Sequence, residues 1–235
     1  MRLLVDIGNT RIKLAVFNKN KILRVFSEPM LSKSLVYNLM NKYPKINLVF
    51  SLSSNKNVEL NRNHFDKFNL KFIEFNSNKY ASLFSSYEGG LGDDRMALSI
   101  GALSLYSQNT LIIDLGTCVT YDLVLNGIYK GGQISPGLQS RLESLKQTTS
   151  SLPLLNFDIP EDFIGTSTEK CILSGVYYGL LSEIELMIKR YTSANQLTVV
   201  LTGGDSQYFK KNIKNVIFDD NLLMKGLNCI LNETI

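Results

Sequence analysis

Two short apolar runs, each broken by the pattern Asp-x-Gly, constrain this chain more than any other feature. Arg2 to Val5 and Ile12 to Phe17 are β-prone and flank the turn Asp6-Ile7-Gly8-Asn9-Thr10. Thr110 to Ile113 and Val119 to Leu125 flank Asp114-Leu115-Gly116-Thr117 in the same way. Aligning Asp6 on Asp114 without gaps also superposes Gly8 on Gly116, Val16 on Val124 and Asn18 on Asn126. A third strand follows each pair, at Ile22 to Phe26 and, after the Gly127 turn, at Ile128 to Ile134. The pattern is that of an internal duplication of a β-β-β unit, with a boundary near residues 106 to 109. It predicts an α/β chain of two domains, 1–107 and 108–235, whose Asp-x-Gly turns face each other across a cleft.

The remaining elements fill in each half. In the first, the sequence predicts a helix over Lys33 to Lys42, a buried strand over Asn47 to Leu52, a polar helix over Asn57 to Phe68 and a strand over Lys71 to Phe75. A Ser- and Gly-rich loop over Ser82 to Asp94 then leads into a helix over Met96 to Leu105. In the second, a loop at Ser135-Pro136-Gly137 precedes a helix over Gln139 to Lys146, and a Ser/Thr-rich loop ends at Leu152-Pro153. A long helix over Glu169 to Tyr191, a strand over Leu197 to Thr202, the turn Gly203-Gly204-Asp205 and a terminal helix over Met224 to Leu231 complete the chain.

Composition narrows the chemistry. The 235 residues include a single histidine, His64, which lies in the polar segment Asn61 to Asp66 and reads as a surface residue. Multi-histidine metal sites are excluded, and a catalytic triad survives only if His64 serves it. Lys plus Arg number 25 against 21 Asp plus Glu, a net charge of +4 without a long basic run, so no nucleic-acid surface is expected. Cys118, Cys171 and Cys229 are too scattered for a metal or redox motif and read as small buried hydrophobes of a reducing compartment. Asp6 interrupts the apolar start before a signal peptide or membrane span could form, so the expectation is a soluble, cytoplasmic protein with no membrane partner.

Chemistry then rests on carboxylates, cations and backbone amides. A strand ending in Asp before a Gly/Thr turn sets a carboxylate beside amides able to surround a phosphate, where it can hold Mg²⁺ through water. No GxxxxGK[ST] run is present, so this is not a Walker loop. Gly92-Asp93-Asp94-Arg95 sets two carboxylates and a guanidinium at the start of a helix. One reading is helix capping and dipole compensation; the other makes one Asp the acceptor of a hydroxyl proton and Arg95 the partner of an anionic substrate group. Gly175 and Gly179 share a face of the long helix with Cys171, which marks close packing either inside the fold or between subunits.

Taken together, DIGNTRIK (Asp6 to Lys13), GDDR (Gly92 to Arg95), DLGTCVTYD (Asp114 to Asp122), GGQISPGL (Gly131 to Leu138), TTSSLP (Thr148 to Pro153), GTSTEKCILSGVYYG (Gly165 to Gly179), TGGD (Thr202 to Asp205) and LLMKGL (Leu222 to Leu227) resemble the type III pantothenate kinases in order and in kind. The resemblance implies two ribonuclease-H-like domains of the acetate and sugar kinase, heat-shock chaperone and actin superfamily around a nucleotide cleft. It implies ATP-dependent phosphorylation of pantothenate, the first step toward coenzyme A, by a homodimer that requires Mg²⁺ and a monovalent cation, K⁺ or NH₄⁺. By the same resemblance, Asp6, Ile7, Gly8, Asn9, Thr10, Arg11, Ile12 and Lys13 form the ATP phosphate loop, with Asp6 positioning Mg²⁺ and Thr117 touching the nucleotide. Asp114 is the monovalent-cation ligand and Asp94 the proton acceptor. Tyr87, Gly92, Asp93, Asp94, Arg95 and Thr168 contact pantothenate, Thr168 from the other subunit. Two departures stand out: Tyr87-Glu88-Gly89-Gly90-Leu91 replaces the family's Tyr-x-Asn-Pro and its longer spacing, and Cys118 stands where alanine is usual.

Two other functions fit the same fold. One is a kinase of the superfamily acting on a sugar or other small alcohol. The other is a nucleotide-binding regulator or actin-like assembly protein without catalysis.

Overall fold

A computed structural model describes residues 1–8, 10–54 and 60–234. The chain divides into two units, Met1–Leu105 with Leu222–Ile235, and Tyr106–Asn221. In the first unit, β1 (Arg2–Ile7), β2 (Ile12–Asn18) and β3 (Lys21–Glu28) form an antiparallel meander, followed by helix α1 (Lys33–Lys42) and strands β4 (Leu48–Ser53) and β5 (Lys71–Glu74). The sheet order is β3-β2-β1-β4-β5, with β4 parallel to β1 and β5 parallel to β4. β1 is buried along its whole length, as a central strand covered on both faces must be. Leu3, Val5 and Ile7 point to the face packed by Val36, Leu39 and Met40 of α1. Strand alternation therefore turns Leu4 and Asp6 to the other face. Ser32 caps α1, its Oγ accepting from the amide of Leu35 at 3.2 Å.

The expected helix over Asn57 to Phe68 is replaced by a 3-10 turn at Arg62–Phe65, while positions 57–59 lie outside the described residues. Only Phe65 of that turn is buried, so the segment lacks the apolar stripe that would hold a full helix against the core. A second 3-10 turn spans Ser77–Tyr80, and helix α2 (Asp93–Leu105) begins three residues earlier than the sequence suggested. The carbonyl of Gly92 accepts from the amide of Met96 at 3.0 Å, which draws Asp93, Asp94 and Arg95 into the first turn, where acidic side chains favour the helix dipole.

The second unit repeats the plan: β6 (Thr110–Leu115), β7 (Cys118–Leu125) and β8 (Ile128–Pro136) form a meander, and the sheet order with β9 (Thr198–Thr202) and β10 (Ile217–Phe218) is β8-β7-β6-β9-β10. Asn126 and Gly127 both take positive φ, 50° and 73°, as the tight β7–β8 hairpin requires. Helices α3 (Leu138–Thr148) and α4 (Thr168–Ala194) pack on this sheet through Leu138, Leu142, Ile172, Val176, Leu180 and Ile184. β8 runs through Pro136, where the sequence suggested a loop, because Ser135 and Pro136 still pair with Val119 and Cys118.

The duplication holds in topology but not at every aligned residue. Asp6 pairs with Lys13, whereas Asp114 pairs with Thr120, so the second hairpin is one residue shorter. Val124 is consequently the structural counterpart of Phe17, and the gapless match of Val16 to Val124 is out of register.

The terminal helix α5 (Leu222–Thr234) belongs with the first unit, not with the second half of the chain as its sequence position suggested. The cause is a glycine crossing. A methyl group on Gly101 of α2 would come 2.7 Å from the Gly226 Cα of α5, and one on Gly226 would come 2.4 Å from the Ala97 carbonyl. Only two glycines let these backbones meet so closely.

Candidate active site

In the first unit the Asp6 turn is short and tied: the amide of Gly8 donates to the carbonyl of Arg11 at 3.1 Å, and Asp6 sits opposite Lys13 on the ladder. A methyl group at Gly8 would meet the Arg11 carbonyl at 2.9 Å, so glycine suits the tight return. Asp6 is buried, Ile7 more so, while Thr10 and Arg11 are exposed and Ile12 and Lys13 half-buried. Asn9 lies outside the described residues. The hairpin thus offers a carboxylate held at a strand end, flanked by two cations, Arg11 and Lys13.

Gly92 to Arg95 open α2, which contacts β4 while α5 contacts β1 on the sheet face that carries Asp6. Asp94 Oδ1 accepts from the amide of Arg95 at 2.9 Å, and a methyl group on Gly92 would strike that oxygen at 2.6 Å. Gly92 therefore shapes the space in which the Asp94 carboxylate sits. The Arg95 side chain is 8% exposed, and Ser99 Oγ donates to its carbonyl at 2.8 Å, anchoring the first turn. Tyr87 is half-buried, its amide donating to the Phe84 carbonyl at 3.0 Å.

The second unit gathers three backbone segments around Asp114. The amide of Gly116 donates to the carbonyl of Cys118, and the Thr117 carbonyl accepts from the Gly137 amide at 3.0 Å and from Ser140 Oγ at 2.8 Å. Gly137 is the N-cap of α3 and supplies no side-chain cap, so the helix start lies against the Asp114 turn without one. Gly203, at φ 93°, approaches from β9: a methyl group there would lie 2.3 Å from the Leu115 carbonyl. Gly137 and Gly203 lie in turns that the sequence singles out but are not among its candidate site residues. Their signal was a glycine following each of two strand ends, in SPG and TGG.

Thr168 is exposed in the first turn of α4, where Ser167 Oγ accepts from the Lys170 amide at 3.3 Å. The three cysteines correct the expectation of burial: Cys118 and Cys171 are exposed and Cys229 half-buried, because Cys118 closes the Thr117 turn and Cys171 lies on the outward side of α4. Among the described residues, no group of three His, Cys, Asp or Glu side chains is placed to hold a metal ion.

The sequence profile of the type III pantothenate kinases matches residues 2–190. The chain belongs to this family. A type III pantothenate kinase from Flavobacterium psychrophilum is 39% identical over 97% of both chains. Among solved structures, a Baf family transcriptional activator from Campylobacter jejuni superposes with a TM-score of 0.64 at 23% identity, covering 99% of this chain and 98% of that one. An inorganic polyphosphate/ATP-glucomannokinase from an Arthrobacter strain superposes at 0.51 with 14% identity, covering 100% of both. These two likenesses are of fold alone. They agree with the repeated sheet order in identifying two ribonuclease-H-like units.

Proposed function

We propose that the chain transfers the γ-phosphoryl group of ATP to the primary hydroxyl of pantothenate, yielding 4′-phosphopantothenate, the first step of coenzyme A synthesis. The observation that carries this reading is the Gly92–Arg95 turn of a family member, with Asp94 held at the start of α2 on the Asp6 side of the sheet. Phosphoryl transfer passes through a loose transition state, so positioning and charge neutralisation are the protein's main tasks. Asp94 orients the hydroxyl and takes its proton late, because an alcohol is too weak an acid to lose it early. Arg95 binds an anionic group of the reactants, and Gly92, Asp93 and Tyr87 shape the pantothenate pocket. Asp6 to Lys13 and Thr117 contact the nucleotide.

Mg²⁺ fits a lone carboxylate such as Asp6. The ion keeps waters and takes substrate phosphates as ligands, so it needs no multi-residue protein cage. When bound with ATP it neutralises phosphate charge. For the monovalent cation the proposed ligand is Asp114, whose carboxylate is fixed against Gly203. Three free cysteines, two of them exposed, suit the reducing cytoplasm in which we place the protein.

We also propose a homodimer formed through α4. This helix is apolar enough to span a bilayer by length and composition, yet only 39% of its most apolar window is buried. Cys171, Gly175, Gly179, Ser182 and Leu186 lie along its exposed side, and a methyl group on either glycine would meet nothing within 4 Å. Those glycines make no internal contact, which favours the intersubunit reading of their spacing. Phe163 and Ile164, 68% and 75% exposed, extend the apolar surface, the Phe163 ring stacking edge-on to Tyr178 of α4. Thr168 starts the same helix, and in this reading it contacts pantothenate bound by the other subunit.

The deciding experiment is an ADP-release assay with pantothenate and with common sugars, each with and without K⁺. ADP release dependent on both pantothenate and K⁺ is expected. Turnover with a sugar, or none with pantothenate, would replace this function with one of the alternatives.

A further inference from the structure

On the α1 side of the first sheet, opposite the face that carries Asp6, lies a cavity of about 320 Å³ between α1 and the 3-10 turn at Arg62–Phe65. That volume is at the lower end of small-molecule sites. Its walls include Lys33, Tyr37 and Asn38 from α1 and His64, Lys67 and Phe68 from the segment that follows β4, with no carboxylate in the lining among the described residues. The rings of Tyr37 and Phe68 are 6.3 Å apart and inclined at 47°, an open aromatic jaw. The Lys67 ammonium lies 6.0 Å from the Tyr37 ring centre, which sets a cation at the mouth of that jaw.

One of these cations works against the helix that carries it. Lys33 occupies the first turn of α1, where a cation opposes the helix dipole, and no acidic residue in that turn offsets it. His64, expected on the surface, is half-buried instead. Its Nε2 lies 3.4 Å from Asn61 Nδ2, while its Nδ1 is buried without a hydrogen-bond partner among the described residues.

We propose that this cavity is a second ligand site, binding a small aromatic anion of the aryl-phosphate class. The ring packs against Tyr37 and Phe68, and the anion meets Lys33 and Lys67. Both halves of such a ligand are needed, because the walls set two aromatic rings, Tyr37 and Phe68, beside two cations, Lys33 and Lys67.

The lone histidine makes the test direct, since its imidazole C2 proton is a single NMR resonance that reports on this cavity. Titrating the full-length protein with phenyl phosphate should shift that resonance saturably, with a dissociation constant of about 1 mM or lower. Phenol and inorganic phosphate should each bind at least about tenfold more weakly. Lys33→Ala/Lys67→Ala and Tyr37→Ala, all at exposed positions, should keep the thermal unfolding midpoint and kinase turnover while weakening phenyl phosphate by about fivefold or more. A shift that does not saturate, an equal response to inorganic phosphate, or binding unchanged in both variants would overturn the proposal.

Discussion

Gly203 lies so close to Asp114 that a methyl group on it would come within 2.4 Å of the Asp114 Oδ1 atom, and its φ of 93° is one that alanine rarely adopts. The TGGD turn and the DLGT turn are therefore a single object, each fixing the other. Gly203→Ala should destabilise the protein by about 1–3 kcal/mol, because it combines backbone strain with a clash against main chain. Displacing the Asp114 carboxylate should also weaken activation by K⁺. Thermal unfolding and a K⁺ titration of turnover check this; an unchanged midpoint with unchanged K⁺ activation would separate the two turns.

Asp94→Asn keeps the size of the side chain and its ability to accept from the Arg95 amide, but removes the proton acceptor. Turnover should fall by at least about 10²-fold while ATP affinity stays within about twofold. Near-normal kcat in a folded variant would take Asp94 out of the base role. If Thr168 serves the neighbouring subunit's site, mixing Asp94→Asn with an inactive Thr168→Ala variant should restore part of the activity in verified heterodimers.

Much of this fold was legible because strands and turns are local. The α1 boundaries were read to the residue, and the Asp-x-Gly turns announced both meanders. The attachment of α5 was not legible, since it depends on Gly101 meeting Gly226 across the length of the chain, a contact that no periodicity encodes. The same holds at the site. Asp6, Asp94 and Asp114 stand out in the sequence by their turns and by the family resemblance, and the structure sets them at the ends of β1 and β6 and in the first turn of α2. Gly137 and Gly203 act through the absence of a side chain at a packed corner, so the sequence marks their turns while the coordinates show what those turns pack against. His64 is half-buried although its neighbours in sequence are polar, because it lines a cavity together with Tyr37 and Phe68.

The helix glycines form an internal contrast. Gly226→Ala places a methyl group 2.4 Å from the Ala97 carbonyl and should cost about 1–3 kcal/mol through the α2–α5 crossing. Gly175→Ala meets only open space, so its local effect should be neutral or stabilising by up to about 1 kcal/mol. Gly175→Arg should leave the monomer folded but, with α4 at the dimer contact, abolish dimerisation in sedimentation velocity. An intact Gly175→Arg dimer would move the interface elsewhere.

Glu183 anchors α4 to the end of β8 and to α3. Its Oε1 accepts from the Tyr121 hydroxyl at 3.0 Å and Ser135 Oγ at 2.6 Å, and its Oε2 pairs with Arg141 at 2.5 Å. Burial alone would raise its pKa, but the hydrogen bonds from Ser135 and Arg141 and the Arg141 charge outweigh burial and hold the carboxyl below its ordinary value of 4.5. A carboxyl depressed in the folded state stabilises it at pH above the unfolded value and loses that contribution as pH falls through the folded one. Glu183→Gln should therefore be less stable than the parent at pH 7, by about 1–3 kcal/mol for a part-buried charged hydrogen bond. The gap should narrow as pH is lowered below 4.5. Denaturant melts of both proteins across that range check the sign: a gap that is constant or widens in acid would mean that Glu183 contributes through packing, not through its charge.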